Sequence, residues 1–453
     1  VDPALIEYVR GVGMKVAAVS EVDLPYEFTV LNSSVPNAWA LPGGKIAINR
    51  GLLTEIRSEA ELAAVLGHEV VHAAARHSAQ QMSRGQLLQG LVLATSVVAG
   101  DSGYGDLAVG GAGVAAQLLS TSYGRDAELE ADKYGMRYMQ RAGYDPQGAV
   151  SLQETFVRLS EGREQDWLSG LFASHPPSLE RVRENRKRAK KMPQGGFMGV
   201  DEYMAAVEQA RAAKPAYDAY DKGRAALAEG NSDEALKLAN EALKLYPAEA
   251  NFHALRGDIR LMGEQFDMAE TNYNRAISRR DSFFYYYVQR GLAREAQHRT
   301  YDAVQYLERS LDLLPTAPAH YTLGLIKKER GQTEEAIQHF TVVAKSSGEY
   351  GKKAGAELAR MEIAEQPAKY VAHSCDAGSN GNLIISVRNE ATIAIEGVRV
   401  QLDYSDNYGN TRREIVNVGN RIESGQVVQT DTGIRVYEGT HCAEQVIAAR
   451  IAQ

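Results

Sequence analysis

The sequence predicts a mainly α-helical chain in three parts: a helical domain built around a His-Glu-x-x-His motif, a superhelix of repeated helix pairs, and a small C-terminal β-sandwich. Three observations predict this. First, His68-Glu69-Val70-Val71-His72 lies in an apolar run whose Leu62, Val65, Leu66, Val70 and Ala73 recur at helical spacing. Second, small residues recur every 34 positions from about Ala216: Gly223, Gly257 and Gly291, then Ala235, Ala269 and Ala303. Third, after Ala364 the pattern changes to strand-like runs, Leu383–Asn389, Val398–Tyr404 and Val427–Thr430, separated by polar turns. The parts are expected over residues 1–200, 216–364 and 367–453.

In the first part, Asp2 to about Ser20 reads as a helix with Pro3 in its first turn and Leu5, Val9, Val12 and Val16 on one side. Phe28–Leu31 reads as a short strand. A Pro42-Gly43-Gly44 turn then leads into a second strand that begins Gly44-Lys45-Ile46-Ala47. This strand could be one arm of an ordinary core hairpin. Alternatively it is an edge strand beside a cleft, where Gly44, Lys45, Ile46 and Ala47 would hold an extended peptide by backbone hydrogen bonds.

Glu59 to His77 reads as one helix. Residues four apart on a helix differ by about 40° around the axis, so His68 and His72 present both imidazoles to one metal ion. Glu69 follows the first histidine directly, which suits a carboxylate that works on a water beside the metal rather than on the metal itself.

Eight of the 41 glycines fall between Gly85 and Gly113, among short apolar pieces. That density predicts short helices and loops, either a lid or membrane-facing plug beside the site or a hairpin completing the core. From Ser122 to Arg141 a strong helix returns, with Glu128 and Asp132 one turn apart. Alone, these acids would form a solvated face. Beside a histidine pair they read as a third ligand, Glu128, and an aspartate, Asp132, that holds a ligand histidine.

Ser174-His175-Pro176-Pro177 is a loop entering a helix, and His175 either caps that helix at the surface or reaches the fourth position of a metal. Arg181 to Lys191 is basic, one face of a surface helix or a contact for anionic lipid headgroups. Pro193–Gly196 reads as a linker.

The period of 34 is that of tetratricopeptide repeats, whose stacked helix pairs form a groove for peptide segments or partner proteins. The run Phe283-Phe284-Tyr285-Tyr286-Tyr287 lies in this array, where rings left exposed would anchor client chains.

Composition narrows the function further. Asp+Glu number 58 against 50 Lys+Arg, a net charge of −8, which argues against a general nucleic-acid binder. No apolar run reaches the ~18 residues of a membrane span. Val1 in place of Met fits a mature form from which a leader was removed, or a trimmed chain, and the residues leave both open. Cys375 and Cys442 both lie in the last part, far from the histidines, so they fit a disulfide of an oxidising compartment, or two buried thiols, rather than metal ligands.

Taken together, four features resemble the HtpX and CAAX-prenyl-protease family of zinc peptidases, the gluzincins. They are Asn37-Ala38-Trp39-Ala40-Leu41-Pro42-Gly43-Gly44, His68-Glu69-x-x-His72, Glu128-x-x-Ala131-Asp132, and Ser174-His175-Pro176-Pro177 leading to Arg181. The match covers roughly residues 1–190, and the repeats place the chain nearest the BepA-like periplasmic members. The resemblance implies one zinc ion per chain, held by His68, His72 and Glu128, with Glu69 as general base and Asp132 behind the ligands. It further implies that His175 can reach the zinc and close the water site, with Arg181 organising that region.

By the same resemblance the chain would be a periplasmic zinc endopeptidase acting on unfolded or misassembled envelope proteins. Its repeat groove would engage unfolded or β-barrel clients and assembly machinery, with peripheral membrane contact open and no role for nucleic acid. The rival reading is a chaperone or scaffold with a latent, His-capped metal site. The C-terminal β-module departs from the BepA-like pattern.

Overall fold

A computed structural model describes residues 2–77, 123–162, 175, 179–346, 348–406, 409–436 and 442–452. The expected lid or plug at 85–120, and Ser174, Pro176 and Pro177 of the histidine loop, lie outside the described residues. The chain divides into two compact units, Val1–Leu314 and Pro315–Gln453.

The first unit opens with helix α1 (Pro3–Ala17), capped by the Asp2 carboxylate, which accepts from the Ala4 N–H at 2.9 Å. Its buried side, Leu5, Val9, Val12 and Val16, packs on the metal-motif helix. Strands β1 (Glu27–Leu31), β2 (Ala38–Leu41) and β3 (Lys45–Asn49) form a sheet in the order β1–β3–β2. β3 is central: Ile46 sits opposite Phe28 on a parallel neighbour and opposite Ala40 on an antiparallel one. The short helix α2 (Arg50–Glu55) follows directly.

Helix α3 (Glu59–Ala74) carries the His-Glu-x-x-His motif. Ser58 caps it, accepting from the Glu61 N–H at 3.1 Å, while the Glu61 carboxylate reaches back to the Arg57 N–H at 2.7 Å. This reciprocal arrangement resembles a capping box and satisfies donors a buried helix start would otherwise leave orphaned. Every residue from Glu59 to Ala73 is buried, so α3 is the central rod of the domain. The helix ends at Ala74, short of the expected His77, because Arg76 adopts a left-handed φ of 59°.

Helix α4 (Arg125–Arg141) crosses α3 in backbone contact. A Cβ on Gly67 would stand 3.0 Å from the Gly135 carbonyl oxygen, and one on Gly135 only 2.9 Å from the His68 nitrogen. Two glycines at one crossing bring the axes close enough for Glu128 and Asp132, on the turns before Gly135, to reach the histidines. Helices α5 (Gln147–Gly162) and α6 (Leu179–Lys191) complete the surround.

The stretch expected as a linker is part of the domain. Phe197 pairs by backbone with Gly143 and Asp145, and the carbonyls of Gly199 and Met198 accept from the N–H groups of Glu59 and Ala60. Helix α7 (Val200–Ala212), not anticipated from the sequence, then buries Tyr203 and Val207 completely in the same core, and the Tyr203 hydroxyl donates to the Leu53 carbonyl at 2.6 Å. Its mixed pattern offers only two buried positions, too few to stand out by period.

Three helix pairs follow in this unit: α8 (Lys214–Ala228) with α9 (Ser232–Leu245), α10 (Ala250–Met262) with α11 (Phe266–Ile277), and α12 (Phe284–Ala296) with α13 (Thr300–Leu313). The 34-residue period has a steric cause. A Cβ on Gly257 would collide with the Tyr273 ring at 2.6 Å, and one on Gly291 with Leu307 at 2.8 Å, where the two helices of each pair touch. All five rings of Phe283–Tyr287 are buried, at 8% exposure or less, so the expectation that some stand free to anchor clients is not met. They fill the space between helices instead.

The second unit holds the pair α14 (Ala317–Glu329) and α15 (Thr333–Ala344), then α16 (Glu349–Glu362). A β-sandwich follows, of two three-stranded sheets. One has the order β4 (Val371–Ala377), β5 (Asn382–Asn389), β8 (Val427–Arg435); the other β7 (Thr411–Ile422), β6 (Ile395–Ser405), β9 (Cys442–Ile451). Leu383, Ile385 and Val387 from β5 meet Val398, Val400 and Leu402 from β6 in its core. Cys375 and Cys442 are joined by a disulfide that ties β4 in one sheet to β9 in the other. Among the described residues no helix is long and apolar enough to cross a membrane.

Candidate metal centre

His68 and His72, one turn apart on α3, turn their Nε2 atoms toward each other at 3.0 Å. From α4 the Glu128 carboxylate meets them, Oε1 at 3.2 Å from His72 Nε2 and Oε2 at 3.5 Å from His68 Nε2. His175 brings Nδ1 to 2.9 Å from Glu128 Oε1 and 3.3 Å from His68 Nε2. One donor atom from each of these four residues lies within 4.8 Å of all the others, and all four side chains are buried. Donors bound tetrahedrally at about 2.1 Å stand roughly 3.4 Å apart, close to the separations seen here.

Behind this set, Asp132 accepts from His68 Nδ1 at 3.0 Å. Arg181, 4% exposed, holds the same carboxylate and also reaches Glu128 Oε2 with Nη1 at 2.7 Å. Glu69 points to the other side of His175, its Oε1 3.5 Å from His175 Nε2. Glu69 Oε2 is buried with no hydrogen-bond partner among the described residues. The His72 ring is stacked on Tyr123, centroids 3.8 Å apart and planes 22° from parallel.

The electrostatics are those of a pocket short of positive charge. Glu69, Glu128 and Asp132, all at most 5% exposed, set three carboxylates against the single guanidinium of Arg181. Burial alone would keep His68 neutral, but Glu128 and Asp132 push it up to about 10. Burial holds His72 well below the ordinary imidazole value and raises Glu69, the latter against the pull of His175 and His68. Burial would also raise Glu128 and Asp132, but His175 and His68 hold the first far below the usual carboxylate range, and Arg181 does the same for the second. As a ligand His68 must be neutral, and a dication would then replace that proton's charge and balance the two carboxylates Arg181 leaves over; two imidazoles with a carboxylate form a donor set that zinc accepts. The residues fit a metal ion.

The structure therefore brings His68, Glu69, His72, Glu128, Asp132, His175 and Arg181 together. It does not bring Gly44, Lys45, Ile46 and Ala47 into use as a substrate edge. Lys45, Ile46 and Ala47 pair on both sides, with β1 and β2, and the Gly44 carbonyl accepts from the Glu27 N–H at 3.0 Å. Their backbone groups are already taken, which corrects that expectation: a central strand has no edge to offer. Two neighbours of the site escaped the sequence reading, His77 and Tyr123. Neither lies at helical spacing from the motif, so no periodic signal marks them.

Geometry of this kind, a helical His-Glu-x-x-His pair completed by a glutamate from a second helix, defines the class of gluzincin-type metal centres. The profile of peptidase family M48 matches residues 3–189, the segment that carries this centre, and its His68, His72, Glu128 and His175 cluster could hold a metal ion.

Among relatives, the beta-barrel assembly-enhancing protease of Escherichia coli (strain K12) is 26% identical over 311 residues, 61% of this chain and 61% of its own. The mitochondrial metalloendopeptidase OMA1 of Schizosaccharomyces pombe is 35% identical over 187 residues, 39% of this chain and 51% of its own. A solved Arabidopsis OM64 TPR domain is 25% identical with a TM-score of 0.25, covering 26% of this chain and 98% of that one. The chain spans between 34% and 62% of the length of the curated relatives it matches.

Proposed function

We propose that the protein is a zinc-dependent endopeptidase of the cell envelope, held closed at rest by His175, that hydrolyses peptide bonds in unfolded or misassembled proteins. The observation that carries this reading is the placement of Glu69. Its carboxylate is 2% exposed, directly follows one candidate ligand, and has one oxygen without a partner among the described residues. A buried acceptor of that kind serves to take up a proton at the reacting centre.

In this reading His68, His72 and Glu128 hold the zinc, which when bound polarises the scissile carbonyl and makes water easier to deprotonate. Glu69 takes the proton from the attacking water and returns it to the leaving amine. Asp132 accepts from His68 Nδ1, so that Nε2 keeps its lone pair for the metal. Arg181 neutralises Asp132 and steadies Glu128. His175 stands between Glu128 and Glu69, where water and substrate would have to enter, so it must swing out for turnover.

The repeat array would recruit clients or assembly partners, which raises their local concentration at the centre. An oxidising compartment, the periplasm in a bacterium, agrees with the Cys375–Cys442 disulfide and with the kind of relatives the chain has. The position of His175 also favours a second reading, a chaperone or scaffold whose metal site stays capped.

The test is Glu69→Gln in the full chain with casein as the unfolded probe. Zinc should stay bound at one ion per chain while cleavage is lost, and His175→Ala should raise cleavage above the unaltered protein. Equal cleavage by Glu69→Gln would overturn the peptidase mechanism. Absence of cleavage in every form, including His175→Ala, would favour the scaffold.

A further inference from the structure

On an α-helix the residue five positions on is turned by about 140°, so a continuing helix would point His77 away from His72. The chain does not continue. α3 stops at Ala74, the Arg76 N–H bonds back to the Ala73 carbonyl at 3.2 Å, and Arg76 itself takes φ 59°. That left-handed residue, unusual for a long side chain, folds the backbone over the end of the helix. His77 is thereby returned to the site, with Nδ1 3.0 Å from His72 Nδ1 and the rings 5.0 Å apart at 71°.

The direction of this hydrogen bond follows from the other side of the ring. His72 Nε2 faces Glu128 and His68, so as a metal donor it must carry a lone pair. The ring proton then sits on Nδ1, and His72 donates to His77. His77 accepts at Nδ1, which leaves its own proton on Nε2, 3.6 Å from Glu130 Oε2. The two ligand histidines are therefore held differently: His68 by the Asp132 carboxylate, His72 by an imidazole. His72 is fully buried and His77 is 8% exposed, so water does not substitute easily for the acceptor. Tyr123 covers the His72 ring face but offers its Nδ1 no acceptor, because stacked rings meet through their faces.

We propose that His77 is a positioning residue for the metal centre: its Nδ1 fixes the tautomer and ring orientation of His72. This rests on the reading of His68, His72 and Glu128 as a metal site. Acceptors that hold ligand imidazoles contribute about 10–100-fold to metal affinity.

The experiment uses the full chain, comparing His77→Phe, which keeps a ring but has no acceptor, with His77→Gln, whose amide oxygen can accept. Zinc affinity is read by competition with a chromophoric chelator. The visible absorption of the cobalt(II)-loaded protein reports ligand geometry, and circular dichroism of the metal-free forms reports folding. His77→Phe should bind zinc about 10–100-fold more weakly with an altered cobalt spectrum, and His77→Gln should restore most of both.

Zinc affinity and a cobalt spectrum unchanged in His77→Phe would overturn the proposal. So would His77→Gln as weak as His77→Phe while folded, which would mean the site needs ring packing and not an acceptor. If His77→Phe does not fold, His77→Gln decides alone: near-native affinity and spectrum support the acceptor role, and a loss of ten-fold or more refutes it. Failure of the metal-site reading is distinct, because the unaltered chain would then bind no zinc.

Discussion

Arg181 grips Asp132 with two parallel donors, Nε to Oδ2 at 2.8 Å and Nη2 to Oδ1 at 2.7 Å, and both side chains are at most 5% exposed. The third nitrogen of the fork, Nη1, reaches Glu128. One guanidinium thus compensates a candidate ligand and the residue that orients another.

Replacing it should be severe. Arg181→Met leaves two buried carboxylates without a counter-charge, a loss of about 3–5 kcal/mol for such broken pairs. Arg181→Lys keeps the charge but not the fork, so it should rescue only part. Urea unfolding of the metal-free chain measures both, and equal stability of Arg181→Met and the unaltered protein would contradict the account.

Gly135→Ala tests the helix crossing. The added methyl would stand 2.9 Å from the His68 nitrogen and 3.0 Å from the Gly67 carbonyl carbon, both backbone atoms that cannot rotate aside. Overpacking of this kind costs about 1–3 kcal/mol. Because α4 must move away and carries Glu128 and Asp132, bound zinc per chain should fall together with stability. Zinc content measured by atomic emission after dialysis gives the answer.

Asp258 gives a pH dependence remote from the metal centre. Desolvation pushes its carboxyl up to about 7, against hydrogen bonds from Tyr273 and Tyr285; the Tyr273 hydroxyl donates to Oδ1 at 2.8 Å. The unfolded chain releases this proton near pH 3.9, so between about 3.9 and 7 the folded form holds more protons than the unfolded one. Stability contributed by this group is therefore highest at low pH, falls as pH rises to about 7 and is level above, with a slope of at most about 1.4 kcal/mol per pH unit. Asp258→Asn should flatten the curve in that window, seen as the difference between the two chains in urea titrations.

Reduction of Cys375–Cys442 should loosen the sandwich. The bond closes a separation of 67 residues and joins the two sheets. Removing such a link costs about 2–5 kcal/mol. Thermal unfolding of Cys375→Ser/Cys442→Ser beside the oxidised chain should show a transition assigned to the β-sandwich at lower temperature, with zinc content unchanged.

Much of the site was legible because its parts are local patterns. The spacing of His68 and His72 places both on one helix side, and Glu128 with Asp132 repeats that logic one helix later. The repeat pairs were legible for the same reason: Gly257 and Gly291 mark contacts that recur with the chain's own period. Helix α7 and the stitched segment before it were not, since Tyr203 and Phe197 carry no periodic signal and are placed by partners at Leu53 and Gly143.

The sequence by itself determined which residue types stand one helical turn apart, and with that the motif helix, the acid pair and the paired-helix array. Those are consequences of a backbone geometry that acts over a few residues. Tertiary structure alone decided that Gly67 meets Gly135, that His175 comes between Glu128 and Glu69, that β3 is central, and that His77 returns to His72. Such meetings depend on how distant surfaces pack and on one left-handed residue at a helix end, and neither leaves a period to read.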